Sequence, residues 1–355
     1  MRKSGIANLP LHPGKAPPWL FKRMVKMSKA ISAIIIDEYG QKNFLQRLAD
    51  PYFFQSFSCV IGFDWHSSGV TTTTCGALKM AINMQEHGIA VCGGKGRTSR
   101  KTPDEIKELE LKHTKDLIYA SKMSAKVDNS LIQDDYQLYH HCFFVSEKED
   151  WAVIQQGKHN YNTYARRYHW ISDKIESFVE EPQNAICCDE QKKKVLDMTA
   201  KKSKEIRKIS VDLVNDNSFA RQKTLLEFEK PFSILNMKPE HPVYLRDLHK
   251  TSVKTLRKAY EIQPKNYEEL VSLKGVGPKT IRALVLISEL IYGEKASWKD
   301  PAKYSFTVGG KDGYPYPINK MHYDGVVSML KDSITQAKLG YKDRKYAIRR
   351  LKDFI

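Results

Sequence analysis

Two glycines one residue apart, followed at once by proline, leave little freedom in how a chain can fold locally. The stretch reads Leu270-Val271-Ser272-Leu273-Lys274-Gly275-Val276-Gly277-Pro278-Lys279-Thr280-Ile281-Arg282. Asn266 stands where a side chain caps a short first helix, and Glu269 follows three residues on, the spacing of a capping box. Gly275 and Gly277 suit a hairpin that another backbone can approach closely, because neither carries a Cβ. Pro278 fits the first position of a second helix, where the N–H it lacks has no intrahelical partner. From there Ile281, Leu284, Val285, Ser288 and Leu290-Ile291 lay a broad stripe for burial up to about Tyr292, and Gly293 is placed to end the helix.

A hairpin of this form aims free backbone N–H groups and the positive end of a helix dipole at one point, which suits a phosphate. Lys274, Lys279, Thr280 and Arg282 surround it. Leu-Lys-Gly-Val-Gly-Pro-Lys-Thr resembles the helix-hairpin-helix motif of DNA repair glycosylases, polymerases, ligases and nucleases. The resemblance is confined to this short stretch, and it implies phosphate contact without a sequence preference of its own. The alternative is an ordinary helical turn with glycines placed for packing.

The 355 residues are long for one hydrophobic core, so two domains are expected, 1–230 and 231–355. Lys and Arg number 58 against 41 Asp and Glu, a formal net charge of +17, and that excess favours a polyanionic partner, DNA above all. No apolar run approaches the ~20 residues of a membrane span, so no membrane is expected as a partner and the location is expected to be cytoplasmic. The cysteines, Cys59, Cys75, Cys92, Cys142, Cys187 and Cys188, show no Cys-x-x-Cys spacing. Neither a zinc knuckle nor a disulfide framework is indicated, and buried thiols are expected.

In chain order, Asn8 to Pro18 is too proline-rich for regular structure and reads as an arm or lid. Helical spacing of Leu20, Met24, Met27, Ile31, Ile34 and Ile35 predicts an amphipathic helix ending near Gly40, with another from Phe44 to Leu48. The aromatic run Tyr52 to Phe57 suits a core. Gly62 to Thr74 gathers His66, Asp64 and a row of hydroxyls between glycines, which suggests a loop lining a site. Gly93 to Lys101 is glycine-rich and basic, either an anion nest presenting Lys95 and Arg97 or a plain surface loop. Thr102-Pro103-Asp104-Glu105 has the form of a capping box opening a helix to about Ser124.

Leu138 to Val145 and Trp151 to Gln156 predict two strands of a β-hairpin, and the strand period of two puts His140 and Cys142 on one face and His141 and Phe143 on the other. Asp128, Asp134, Asp135 and one of these histidines are candidates to converge on Mg²⁺ or Mn²⁺, as phosphodiester hydrolysis often requires. The alternative is that the carboxylates cap turns and one histidine packs in the core. Tyr161 to Trp170 interleaves Arg166 and Arg167 with aromatic rings, a mixture suited to backbone contact and base stacking. Helices are expected at Glu190 to Val214, Phe219 to Glu229 and Tyr323 to Leu339, a linker at Pro231 to Pro242, a loop at Asp300 to Pro317, and a basic tail after it.

Several stretches taken together extend the resemblance to nearly the whole chain. Leu-Pro-Leu-His-Pro-Gly-Lys-Ala-Pro-Pro-Trp-Leu-Phe, Gly-Phe-Asp-Trp-His-Ser-Ser-Gly-Val-Thr-Thr-Thr, Gly-Gly-Lys-Gly-Arg-Thr-Ser-Arg-Lys-Thr-Pro, Tyr-Gln-Leu-Tyr-His-His and Ala-Arg-Arg-Tyr-His-Trp resemble a largely archaeal, partly bacterial family known as domain of unknown function 763. That resemblance implies no particular chemistry.

The expectation is therefore an α+β chain, with a mixed α/β N-terminal domain followed by a helical domain that binds DNA. The favoured activity is a DNA repair or processing hydrolase, a metal-dependent nuclease using Asp128, Asp135, His140 and His66, with Asp128 and Asp135 as metal ligands. A glycosylase-lyase is the alternative. Lys279 falls at the position resembling the lysine nucleophile of endonuclease III-type enzymes, and Asp300 lies somewhat beyond their usual aspartate spacing. A third reading is a non-catalytic DNA-binding adaptor. The expected nucleic-acid contacts are Lys274, Gly275, Gly277, Lys279, Thr280, Arg282, Lys95, Arg97, Arg166 and Arg167.

Overall fold

The computed structural model describes residues 16–63, 68–159, 164–188, 191–216 and 250–302. The N-terminal arm to Lys15, His66, the helix expected at 219–229, the linker at 231–242, most of the loop at 300–317, the helix at 323–339 and the basic tail lie outside them.

Helix and sheet are mixed, as the α+β expectation requires. Helix α1, Pro18–Ala49, is broken at Gly40, whose φ of 81° lies outside helical geometry. The stop expected near Gly40 and the new start before Phe44 are both present inside it. Asp50 then caps α2, Pro51–Val60, accepting from the Tyr52 and Phe53 amides at 2.8 and 3.0 Å, and the aromatic run it carries is buried. The region expected as a loop to Thr74 is instead helix α3, Gly69–Ala81. Two of its hydroxyls are buried and paired: Thr74 Oγ1 donates to Ser58 Oγ at 2.9 Å and Thr71 Oγ1 donates to Gln156 Oε1. Helix α4 is the short turn Met84–His87.

Strand β1, Ile89–Lys95, runs straight into a 3-10 turn, Gly96–Lys101. Gly93, inside β1, has φ 89°, and a Cβ there would collide with the carbonyl oxygen of His141 on the neighbouring strand. Thr102 does not cap the next helix. It lies inside α5, Thr102–Lys107, and its hydroxyl donates to Ser99 O at 2.8 Å. The single helix expected to Ser124 is two, with α6 at Thr114–Ser130, separated by residues that include Glu110 at φ 52°.

Strands β2, Ile132–Gln133, β3, Tyr136–Ser146, β4, Trp151–His159, β5, Ala165–Ile171, β6, Ala185–Cys187, and β7, Leu196–Asp197, follow. The main sheet is antiparallel in the order β1-β3-β4-β5-β6, and β2 pairs with β7. One face, carrying Val91, Cys142, Phe144, Ile154 and Ile171, packs against α1, α2 and α3. The other carries Cys92, Phe143, Val153 and Trp170.

That second face is covered by α6, by α7 at Lys204–Asn215, which begins later than the expected Glu190, and by α8, Lys250–Ile262, α9, Tyr267–Ser272, and α10, Pro278–Tyr292. Leu256, Leu270, Val276, Ile281 and Leu284 belong to the same apolar cluster as Phe143 and Trp170. The described part of the expected second domain therefore shares a core with the sheet. Polar ties reinforce the join: Asp197 bridges Ser297, Gln133 Nε2 donates to Pro278 O at 2.8 Å, and Lys126 Nζ donates to Leu273 O. No described helix is long and apolar enough to cross a membrane.

Candidate functional site

Two helices, α9 and α10, flank the glycines of the stretch Leu270 to Arg282. Asn266 Oδ1 accepts from the Glu269 amide at 2.9 Å, although Glu269 reaches back to the Lys265 amide, at 2.8 Å, and not to that of Asn266. Gly275 has φ 97°, and a Cβ on it would stand 2.9 Å from Thr255 Oγ1. Gly277 is different. Its backbone is extended and nothing lies within 4 Å of where its Cβ would be, so glycine there leaves space in front of the hairpin. Pro278 opens α10, no side chain caps that helix, and Gly293 closes it in the left-handed region at φ 72°. Lys274 and Lys279 are exposed beside the open space. Thr280 is buried, and Arg282 Nε donates to Gln133 Oε1 at 2.7 Å, so these two help seat the helix on the sheet domain. The buried stripe ends at Ser288, and Leu290 and Ile291 are exposed.

Lys95, Arg97, Arg100 and Lys101 are exposed around the 3-10 turn, with Lys95 Nζ 5.8 Å from the Tyr139 ring centroid. Just before the turn, a half-buried ion pair holds β1: Glu105 Oε2 accepts from the Gly93 amide and from Lys79 Nζ, both at 2.6 Å.

The carboxylates expected to bind a hard cation are not assembled as one. Asp128 is sealed in the core, where its oxygens accept from Gln155 Nε2 at 2.6 Å, Trp170 Nε1 at 2.8 Å and Gln183 Nε2 at 2.7 Å. Burial pushes its carboxyl up to about 8, against the pull of those three donors. Asp135 is exposed in the turn before β3, at φ 67°, with Lys192 Nζ 3.5 Å away. Asp128 is thus closed to solvent while Asp135 faces it. His141 packs on the Asp128 side, its ring bridging Ser121 Oγ at 2.9 Å and Gln155 Oε1 at 2.8 Å, and burial holds it down to about 4.

Arg166 and Arg167, expected to touch nucleic acid, are both fully buried because strand alternation turns them to opposite covered faces of the sheet. Arg166 lies between Asp134, at 2.9 Å, and Asp300, at 2.7 and 3.0 Å, with Tyr168 also donating to Asp134 at 2.9 Å. Asp300 is thus occupied as a structural counter-ion, not free to serve beside Lys279. Arg167 donates to Gln55 Oε1 at 3.1 Å and to Thr71 Oγ1 at 3.4 Å and lies 4.8 Å from the Phe54 ring centroid.

His140 does meet potential metal ligands, but of another kind. The donor atoms of Cys75 in α3 and of His140 and Cys142 in β3 all lie within 4.8 Å of one another. All three residues are buried, and neither ring nitrogen of His140 has a hydrogen-bond partner. Burial, with Lys95 nearby, lowers the imidazole to about 3 and keeps it neutral. Burial also raises the Cys142 thiol well above its ordinary value, and the hydrogen bond with Cys75 adds to this. Strand alternation placed His140 and Cys142 together. Cys75, far off in sequence and on a helix, gave no spacing signal.

A family model described as a protein of unknown function (DUF763) matches residues 5–318. The chain belongs to this family. No curated protein and no solved structure matches it. The DUF763 description carries no activity.

Proposed function

We propose that this DUF763 protein binds nucleic acid, DNA in first place, by gripping the phosphodiester backbone with the hairpin between α9 and α10. The observation that carries the reading is the open space before Gly277 at the uncapped start of α10, flanked by the exposed Lys274 and Lys279. Free amides and a helix dipole there suit a phosphate, and the lysines add charge. The exposed Lys95, Arg97, Arg100 and Lys101 offer a second backbone contact, and the net charge of +17 suits a polyanion. Binding of this kind reads no bases. We favour binding over hydrolysis because Asp128 is sealed, Asp135 is exposed and Asp300 is paired with Arg166.

The test is fluorescence anisotropy of the full chain with duplex and single-stranded oligonucleotides. Gly277→Val has room for its side chain and an extended backbone that valine adopts readily, so the variant should fold, with only the modest loss of midpoint that a poorer N-cap brings. Losing a charge-assisted phosphate contact of ~1.5–3 kcal/mol should weaken binding about tenfold or more. Unchanged affinity in the folded variant refutes the grip.

A further inference from the structure

We infer that Cys75, His140 and Cys142 form a zinc site that staples helix α3 to strand β3. It is independent of the hairpin. Thiolate and imidazole together are the donor set of zinc and other soft cations, in contrast to the oxygen ligands that Mg²⁺ takes. The three donor atoms are already within 4.8 Å of one another, a spacing that a cation at their centre bridges with small side-chain adjustments. Two thiolates balance the charge of Zn²⁺, so the bound cluster is neutral and suited to a buried place. On binding, each sulfur–hydrogen bond is replaced by a sulfur–zinc bond and two protons leave to solvent, with no change of oxidation state. Three protein donors leave the fourth tetrahedral position for a water.

The second observation is His140 itself. A buried imidazole with both nitrogens unpartnered leaves two polar groups unsatisfied, which is costly. A metal on one nitrogen removes that cost at the nitrogen it binds. The backbone also fixes the donors in advance. His140 and Cys142 alternate onto the same face of β3, flanked in register by Gln156 and Ile154 of β4. On the β1 side Gly93 lies opposite Cys142 and is clamped by Glu105 and Lys79. Gln156 is itself fully engaged, donating to Ser68 O at 2.9 Å and Tyr139 Oη at 2.5 Å and accepting from Thr71. It therefore does not compete for the histidine.

The experiment measures metal in the full chain purified in reducing, chelator-free buffer. About one zinc per chain is expected. Replacing it with Co²⁺ should give a thiolate-to-cobalt charge-transfer band, lost in Cys75→Ala and kept in Cys92→Ala, whose sulfur lies on the opposite face of the sheet. Should Cys75→Ala fail to fold, the wild-type chain decides: stripping with a chelator should lower its thermal midpoint, and added Zn²⁺ should restore it. Cobalt uptake without a thiolate band, a band undiminished in Cys75→Ala, or a midpoint indifferent to chelator and zinc each overturns the site.

Discussion

Replacing Arg166 by Met is expected to cost about 3–5 kcal/mol of stability, the range for removing one partner of a buried ion pair. The guanidinium has no solvent exposure, and the side chains of Asp134 and Asp300 are 0% and 4% exposed, so water cannot take over its role. Other donors already serve those carboxylates: the Tyr136 amide and Tyr168 hydroxyl on Asp134, and the Lys192 and Ala302 amides on Asp300. These remain after the substitution, but none carries charge, and two buried anions are left facing each other. The variant should recover relative to wild type on acidification, because protonating the carboxyls removes the repulsion. Adding Asp134→Asn and Asp300→Asn to Arg166→Met should likewise restore part of the loss. Urea unfolding followed by tryptophan fluorescence at about pH 7.5 and about pH 5 measures all of this. A cost under ~1 kcal/mol, typical of a surface pair, together with no recovery in acid, refutes the reasoning.

Asp128 gives a pH signature of its own. A carboxyl raised from 3.8 to about 8 holds a proton in the folded chain that the unfolded chain releases, so its contribution is full below pH 3.8 and is lost as pH rises toward about 8. The slope is about 1.4 kcal/mol per pH unit within that window, and Asp128→Asn should flatten it; an identical pH dependence in the two proteins, by chemical denaturation, contradicts the assignment. Gly275→Ala should lower stability by ~1–3 kcal/mol, since its φ of 97° is strained for alanine and the new Cβ meets Thr255. A midpoint equal to that of wild type would show that the hairpin relaxes freely.

Local signals carried much of this architecture in the sequence. The β-hairpin of Leu138 to Gln156, the stop at Gly40, the Asn266 cap of α9 and the proline and terminal glycine of α10 all depend on residues within a few positions of one another. Polar residues misled where their partners are distant. Thr71 and Thr74 read as loop because their partners, Gln156 and Ser58, are far along the chain or in another helix. Arg166 and Arg167 read as nucleic-acid contacts, and the groups that allow their burial come from residues 134, 300, 55 and 71. Asp128 likewise looked like a metal ligand until Gln155, Trp170 and Gln183 were seen to fill its acceptor positions. The Cys75, His140 and Cys142 cluster was half legible: alternation paired two members, and only tertiary packing supplied the third.

The salt dependence of DNA binding tests the backbone grip most directly. Each phosphate contact released adds about 0.9 to the slope of log K against log[salt] on duplex DNA. Lys274→Ala with Lys279→Ala should therefore reduce the slope by about 2 while leaving any preference among sequences unchanged. A slope equal to that of the wild-type protein, or a titration flat for both, would contradict a hairpin that holds the phosphate backbone.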